Sequence, residues 1–413
     1  MRTMLPVALL AAVLLAEGEA DAPAHVAAAQ KLLAARDAQG AMAELDKAVE
    51  LAPKLLGARL ARGRVRLALN DAKGALADYE AAAAIDPKSA LSHVGRGRAQ
   101  AALGEGAAAI EAYSAAIAID GAVEQVHFLR GLARRALHDF EGAIADFTAA
   151  HGKFPDGLDA LYARAQTREM IDDLSGAIEE YDAILEIAAE AGSVYLARGR
   201  VKSSLGDHEG ALADVEGAAY LAPQDPDVFA ARGRIRLAAG DGAGALQDLA
   251  RAVGLDAKSG GAHLSRALLL HDIGRYEEAL ADFRKSLELD ANRHEYARLY
   301  ILIVESRLGR GEQGRRELKA HLAGRGIKDD WFCRVATFLV GDLDEAALLA
   351  AAKDADPYTE REHLCEAYWY AAAMRDLDGD KEGARLLCER CLATKIRGFI
   401  EFASATAYAY RAR

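Results

Sequence analysis

Along most of the chain apolar residues recur at helical spacing, in stretches of about a dozen positions separated by short turns rich in Gly and Asp. The stretches themselves repeat. Pro53, Pro87, Gly121, Pro155, Ala189, Pro223, Ala257 and Ala291 stand 34 residues apart with no insertion, which defines eight units from Ala22 to Arg293. A second series, Ala41, Ala75, Ala109, Ala143, Ala177, Ala211, Ala245 and Ala279, holds the same register, each opening an apolar helix such as Ala75-Leu76-Ala77-Asp78-Tyr79. Twelve residues ahead of each sits a small residue (Ala29, Gly63, Gly97, Gly131, Ala165, Gly199, Gly233, Ala267), which lets two antiparallel helices approach closely. Each unit therefore predicts a helix, a turn such as Leu205-Gly206-Asp207, and a second helix. One such unit cannot bury its apolar face alone, so stability must come from stacking.

Small residues at positions 8 and 20 of each unit, an aromatic or apolar residue at 24 and Pro at 32 resemble the tetratricopeptide repeat, over about two thirds of the chain. Position 24 carries Tyr79, Tyr113, Phe147, Tyr181 and Phe283, with Leu45, Val215 and Leu249 in repeats 1, 6 and 7. The resemblance implies an all-α, right-handed superhelical solenoid in which positions 2, 5, 6, 9, 12 and 13 of each first helix face a concave groove. Position 5 there reads Val26, Leu60, Val94, Phe128, Tyr162, Leu196, Ala230 and Leu264, and position 9 supplies Arg64, Arg98, Arg200 and Arg234. Such a track suits an extended or helical peptide with apolar anchors and one or two carboxylates held by Arg forks. Position 6 is Ala, Gly, Leu or Ser throughout, which argues against the Asn-based carboxylate clamp of chaperone-binding relatives.

Position 7 is Arg in repeats 2 to 8 (Arg62, Arg96, Arg130, Arg164, Arg198, Arg232, Arg266) and Ala28 in repeat 1. Position 23 is acidic in seven repeats: Glu44, Asp78, Asp146, Glu180, Asp214, Asp248 and Asp282. The expectation is a structural ladder in which each Arg pairs with the acid of the preceding repeat. His25, His93, His127 and His263 all occupy position 4, as planar rings where the repeat usually has an aromatic.

After Arg293 the period slips, and residues 294–413 read as an irregular helical cap. Helices are expected at Tyr296 to Leu308, Glu312 to Leu322, Glu362 to Leu377 and Asp380 to Thr394, with Tyr368, Trp369 and Tyr370 supplying area to bury. Tyr296-Ala297-Arg298-Leu299-Tyr300, Phe338-Leu339-Val340-Gly341-Asp342, Glu362 through Tyr370, and Phe399-Ile400-Glu401-Phe402 resemble the C-terminal part of the NlpI-type envelope lipoproteins. That resemblance implies a non-enzymatic adaptor for envelope proteases and cell-wall hydrolases, and a homodimer. The chain departs from that family in having eight regular repeats and no lipid-accepting Cys after the leader.

Composition narrows the function classes. Apolar residues make up 52% and charged residues 28% of 413, with 8 Pro, which excludes a disordered or loop-rich chain. A net charge of -12 makes nucleic acid a poor partner. Met1-Arg2, an apolar run from Leu5 to Ala16 and Gly18-Glu19-Ala20 read as a signal peptide over residues 1–20, with an uncleaved first helix as the alternative. The run is too short to span a bilayer, so the mature chain is expected outside the membrane.

The remaining chemistry is sparse. All four Cys (Cys333, Cys365, Cys388, Cys391) lie beyond residue 330. Cys388 and Cys391 sit inside a helical pattern, where they read as core, not as a redox pair. A Cys365 to Cys391 disulfide is compatible with export. Gly240 to Gly244 and Asp376 to Asp380 read as interhelical turns, not phosphate or calcium loops, and no HExxH, GxSxG or GxxxxGK[ST] occurs. No cofactor, metal or catalytic residue is expected. The leading reading is an exported protein-binding scaffold. A cytosolic assembly scaffold, or a non-catalytic subunit of an enzyme complex, is the alternative.

Overall fold

The computed structural model describes residues 7–411 apart from 124, 156, 327 and 328, with side chains from Asp21 to Ala409. Its elements are helices, 23 among the described residues, with no strand. The chain divides into two compact units, Met1–Thr167 and Arg168–Arg413, with the division falling inside one helix.

Unit 1 contains α1 (Val7–Ala34), α2 (Ala38–Leu51), α3 (Leu56–Ala68), α4 (Ala72–Ile85), α5 (Ala90–Ala102), α6 (Gly106–Asp120), α7 (Val126–Ala136), α8 (Phe140–Lys153) and most of α9 (Leu158–Met170). Unit 2 continues with α10 (Leu174–Ile187), α11 (Gly192–Ser204), α12 (His208–Leu221), α13 (Pro226–Ala238), α14 (Gly242–Leu255), α15 (Gly260–Asp272) and α16 (Tyr276–Leu289). The leader expected at residues 1–20 has its side chains outside the described residues. No described helix is long and apolar enough to cross a membrane.

The helix pairs close as their sequences require. The alanines at 41, 75, 109, 143, 177, 211, 245 and 279 are all fully buried. A Cβ on Gly63 would come within 2.9 Å of the Tyr79 ring, on Gly97 within 2.6 Å of Tyr113, and on Gly131 within 2.7 Å of Phe147. Position 8 therefore stays small because the position 24 ring of its own repeat lies on it. The turn inside each repeat ends the first helix on a left-handed residue such as Gly206 (φ 86°) or Gly240 (φ 85°), the conformation that favours glycine. The next residue is an N-cap: Asp71, Asp139, Asp173, Asp207 and Asp241 each accept from the glycine amide three residues on, at 2.8 to 3.0 Å.

Beyond the repeats come α17 (Ala297–Arg307), α18 (Gly311–Gly324), α19 (Trp331–Leu339), α20 (Glu345–Ala351), α21 (Pro357–Leu377), α22 (Lys381–Ala393) and α23 (Ile400–Arg411). The four expected helices are present, and α21 starts five residues early because Asp356 caps it, accepting from the Thr359 amide at 2.7 Å, with Pro357 at its first position. Helices α19, α20 and α23 are additional. Helix α23 returns onto α15, α21 and α22. Tyr300, Tyr370 and Phe283 are buried together, with Phe283 and Tyr300 stacked at 5.4 Å. Lys395 and Arg397, ahead of α23, both reach Asp172 at 2.8 Å.

Candidate protein-binding groove

The first helices carry an ion-pair lattice that fixes how their other faces point. Arg62 grips Asp78 with Nε to Oδ2 at 2.9 Å and Nη2 to Oδ1 at 2.7 Å. The same fork joins Arg130 to Asp146, Arg198 to Asp214, Arg232 to Asp248 and Arg266 to Asp282. In each case the acid belongs to the Arg residue's own repeat, which corrects the expectation of pairing with the repeat before. What reaches back is the remaining nitrogen, Nη1: Arg62 to Asp46 at 2.9 Å, Arg130 to Ser114 at 3.0 Å, Arg164 to Thr148 at 2.8 Å and Arg198 to Asp182 at 2.5 Å. Position 25 of the preceding repeat is thus the inter-repeat partner.

A second cation at position 11 completes four of these clamps: Arg66 to Asp78, Arg134 to Asp146, Lys202 to Asp214 and Arg236 to Asp248, at 2.7 to 3.0 Å. These four acids are only 1 to 4% exposed, so at least two cations balance each buried charge, and Asp78 has a third in Arg59 at 3.2 Å. Repeat 1 has no Arg at position 7, and His25 takes Glu44 at 2.6 Å instead. His263 likewise meets Asp282 at 2.8 Å, so position 4 is a further acid partner and not only a ring in the packing.

With positions 4, 7 and 11 turned to the acids, position 9 points elsewhere. In unit 1 Arg64 and Arg98 are exposed, and Arg98 Nη2 donates to Gln125 Oε1 at 3.2 Å. Burial pushes the Tyr79 phenol above its ordinary range while the charges of Arg98 and then Arg64 pull it back. The groove positions of repeats 1 to 4 include Arg64, Arg98 and Arg135 and no Asp or Glu, in a chain whose net charge is -12. The apolar track is less available than its sequence suggests. Leu60 packs toward Tyr79 and Phe128 against Phe147 (5.7 Å), Val94 is 6% exposed, and Tyr162 is half-buried. Leu91, at position 2, is 58% exposed and is the apolar side chain this wall does offer.

In unit 2 Arg200 and Arg234 are again exposed, and Leu196 is half-buried. The Arg200 side chain makes no hydrogen bond or ion pair among the described residues, and that of Arg234 has only Ser265 Oγ at 3.3 Å. Protein crowding around Arg234 pushes its guanidinium pKa down, the like charge of Arg200 adds to this, and Asp227 opposes it. Two neighbouring cations without a bound acid form an anion-seeking pair. Glu169, beneath them, is raised by burial, accepts from Tyr181 Oη at 2.5 Å, and is drawn back down by that bond and by Arg200.

The cap holds its own chemistry. Cys365 and Cys391 are fully buried with sulfurs 3.6 Å apart, and Cys388 and Cys333 are also buried. Trp331 Nε1 donates to Glu366 Oε2 at 3.1 Å and Tyr370 Oη donates to Glu401 Oε1 at 2.7 Å. A cavity of about 80 Å³ lies among His271, Tyr276, Arg307, Trp369, Asp376 and Tyr408, enough for roughly two or three waters. Its one ion pair is already matched, since Asp376 takes both Arg307 and the Tyr408 hydroxyl. Among the described residues no group of three or more His, Cys, Asp or Glu is placed to hold a metal.

A family model described as "Tetratricopeptide repeat" matches residues 60–123, 128–193 and 230–294. Solved structures with similar folds include a tetratricopeptide repeat protein from Parabacteroides merdae (17% identity, 60% of this chain and 99% of that one, TM-score 0.47). Pseudomonas aeruginosa pilF aligns at 18% identity over 49% of this chain and 91% of its own, with a TM-score of 0.42. A thermophilic repeat protein from Thermus thermophilus aligns at 23% identity over 42% and 98%, with a TM-score of 0.38.

Proposed function

We propose that this chain of tetratricopeptide repeats is a non-enzymatic scaffold that captures acidic, apolar-anchored peptide segments of partner proteins on the groove positions of its first helices. The observation that carries the reading is the exposed position 9 arginines, Arg64 with Arg98 in unit 1 and Arg200 with Arg234 in unit 2. Arg64, Arg98, Arg200 and Arg234 stand exposed, none of them in an ion pair with a carboxylate among the described residues, while the arginines at positions 7 and 11 of the same helices are almost all committed to buried acids. A peptide carboxylate meeting such a fork gains a charge-assisted, bidentate bond without breaking one inside the protein. The chain as a whole is acidic and repels anions elsewhere, so the wall selects by sign.

The leader-like N-terminus supports placement of the scaffold in the bacterial envelope, where segments of proteases or cell-wall hydrolases are the partners. Capture from an envelope extract, comparing the unaltered chain with Arg200→Glu plus Arg234→Glu, tests both parts. Loss of capture with helicity intact supports the groove, and retained capture overturns it. Intact mass from separated cell fractions tests the location, since export requires a chain lacking about 20 N-terminal residues outside the cytosol.

A further inference from the structure

Repeat 3 lacks the acid of the clamp and the position 11 cation, and keeps the position 7 Arg and a position 4 His. Position 23, which is Asp or Glu in the other seven repeats, is Ala112, and it is fully buried. Position 7 remains Arg96, position 11 is Gln100 and position 4 is His93. All three side chains carry a buried polar atom with no partner: Arg96 Nε, Gln100 Oε1 and His93 Nδ1. These are the atoms, or the positions, that hold a carboxylate in the neighbouring repeats. Nε is half of every Arg fork, and Nδ1 is the nitrogen with which His263 meets Asp282. His93 Nε2 lies 3.3 Å from the Pro87 carbonyl, as His263 Nε2 does from the Ala257 carbonyl. Glu80 stands where Asp46 and Asp182 assist Arg62 and Arg198, and it makes no bond to Arg96.

The helix pair itself is not altered. A Cβ on Gly97 would meet the Tyr113 ring at 2.6 Å, as one on Gly63 would meet Tyr79 at 2.9 Å and one on Gly131 would meet Phe147 at 2.7 Å. Positions 8 and 24 are the immediate neighbours of positions 7 and 23, so the two helices of repeat 3 bring Arg96 and Ala112 together as closely as Arg62 and Asp78. Repeat 3 differs in carrying a methyl group where its neighbours carry a carboxymethyl side chain, and Gln100 where four clamps carry a second cation.

We infer that Arg96, Gln100 and His93 over Ala112 form a binding site for a small planar monocarboxylate of formate or acetate size. The guanidinium fork of Arg96 matches the two oxygens of a carboxylate as its counterparts do. Gln100 supplies an amide hydrogen when its terminal group is turned over, an orientation set by the hydrogen-bond network. The depth fixes the size. The Asp side chains at position 23 are 1 to 5% exposed, so an anion that takes their place in repeat 3 has to be small and free of an attached chain. A bound anion would do for repeat 3 what Asp78 and Asp146 do for the repeats on either side, so ligand would tighten the middle of unit 1.

The test is amide hydrogen exchange of the full chain, with formate titrated against chloride at constant ionic strength. Formate is expected to slow exchange in α5 and α6 in proportion to its concentration above Kd, by about tenfold at ten times its Kd. Ala112→Asp, which supplies the acid covalently, is expected to be protected without formate and indifferent to it, and Arg96→Gln to be unprotected and indifferent. Should Ala112→Asp fold poorly, Arg96→Gln carries the comparison. Absence of slowing in the unaltered chain, or equal slowing in the unaltered chain and Arg96→Gln, overturns the site.

Discussion

Arg62 holds Asp78 of its own repeat through two parallel hydrogen bonds and reaches Asp46 of the repeat before with its third nitrogen. One side chain thus closes a helix pair and joins it to its neighbour. Asp78 is 1% exposed, so the pair is buried on the acid side.

That burial makes the cost of losing the Arg large and position-dependent. Arg62→Met leaves Asp78 with Arg66 and Arg59 alone and is expected to destabilise by about 3 kcal/mol, the lower end for breaking a buried pair. Arg96→Met, with no acid opposite, is expected to cost less than about 1 kcal/mol. Urea unfolding followed by circular dichroism compares the two. Equal losses would show that the arginines act through packing of their stems and not through charge.

The clamp direction was readable in principle. The small residue at position 8 already implied an aromatic at 24 of the same repeat lying on it, and 7 and 23 are their neighbours, so the acid opposite Arg62 had to be Asp78. Periodicity alone does not choose, because an acid recurs every 34 residues in either direction. The repeats themselves were legible because buried alanines and glycines tolerate no substitution of size. The groove was legible only in part. Position 5 is one turn ahead of position 9, and Leu60 and Phe128 lean back onto Tyr79 and Phe147, leaving the arginines as the exposed chemistry. Helices α19 and α20 fall outside any period. Their signals are the caps Asp330 and Asp344, which accept from the Cys333 and Ala347 amides at 2.8 and 2.7 Å.

Asp172 closes the C-terminal segment onto repeat 5. Burial alone would raise its carboxyl, but hydrogen bonds from Lys395 and Arg397 outweigh it and hold the group below the usual range. A depressed native pKa gives stability that is present above the unfolded value near 4 and lost as pH falls through the native one. Asp172→Asn is expected to cost about 1 to 2 kcal/mol at neutral pH and to expose residues 395–411 to limited proteolysis. An unchanged digestion pattern would show that α23 is held by its apolar face alone.

The buried sulfurs of Cys365 and Cys391 stand 3.6 Å apart and must close to about 2.05 Å to bond. The Cys365 contact and burial both push the Cys391 thiol pKa up, so thiolate is scarce and oxidation should be slow at neutral pH. A thiol oxidant such as diamide, which takes the two electrons and two protons, is expected to link these two Cys and leave Cys333 reduced. The bridge would add about 3 kcal/mol by closing a loop between α21 and α22. Peptide mapping after alkylation identifies the pair. A bridge involving Cys388 in place of Cys365 would contradict the geometry.

The two tryptophans of the chain, Trp331 and Trp369, both lie in the cap, so their fluorescence reports this region apart from the repeats. Beside them Glu366 and Glu401 are buried with the Tyr296, Tyr300 and Tyr370 hydroxyls and the thiols of Cys365, Cys388 and Cys391 around them, and among the described residues no cation bonds to either. Burial raises Glu401 to about 7, and burial followed by the charge of Glu401 raises Glu366 well above the ordinary carboxylate range. The native cap therefore keeps protons that the unfolded chain releases near pH 4.5. Stability from this pair is complete below that pH and declines as pH rises above about 4.5, and the Glu401 share levels off above about 7, once that group has ionised in the native state too. This is the reverse of the Asp172 contribution, so cap stability should peak between the two windows, near about pH 4 to 5. Glu401→Gln keeps an acceptor for Tyr370 and has no charge to bury, so its tryptophan-detected unfolding midpoint should vary less between about pH 5 and 8 and exceed that of the unaltered chain at the upper end. Parallel pH profiles for the two proteins would mean that Glu401 ionises freely in the native cap.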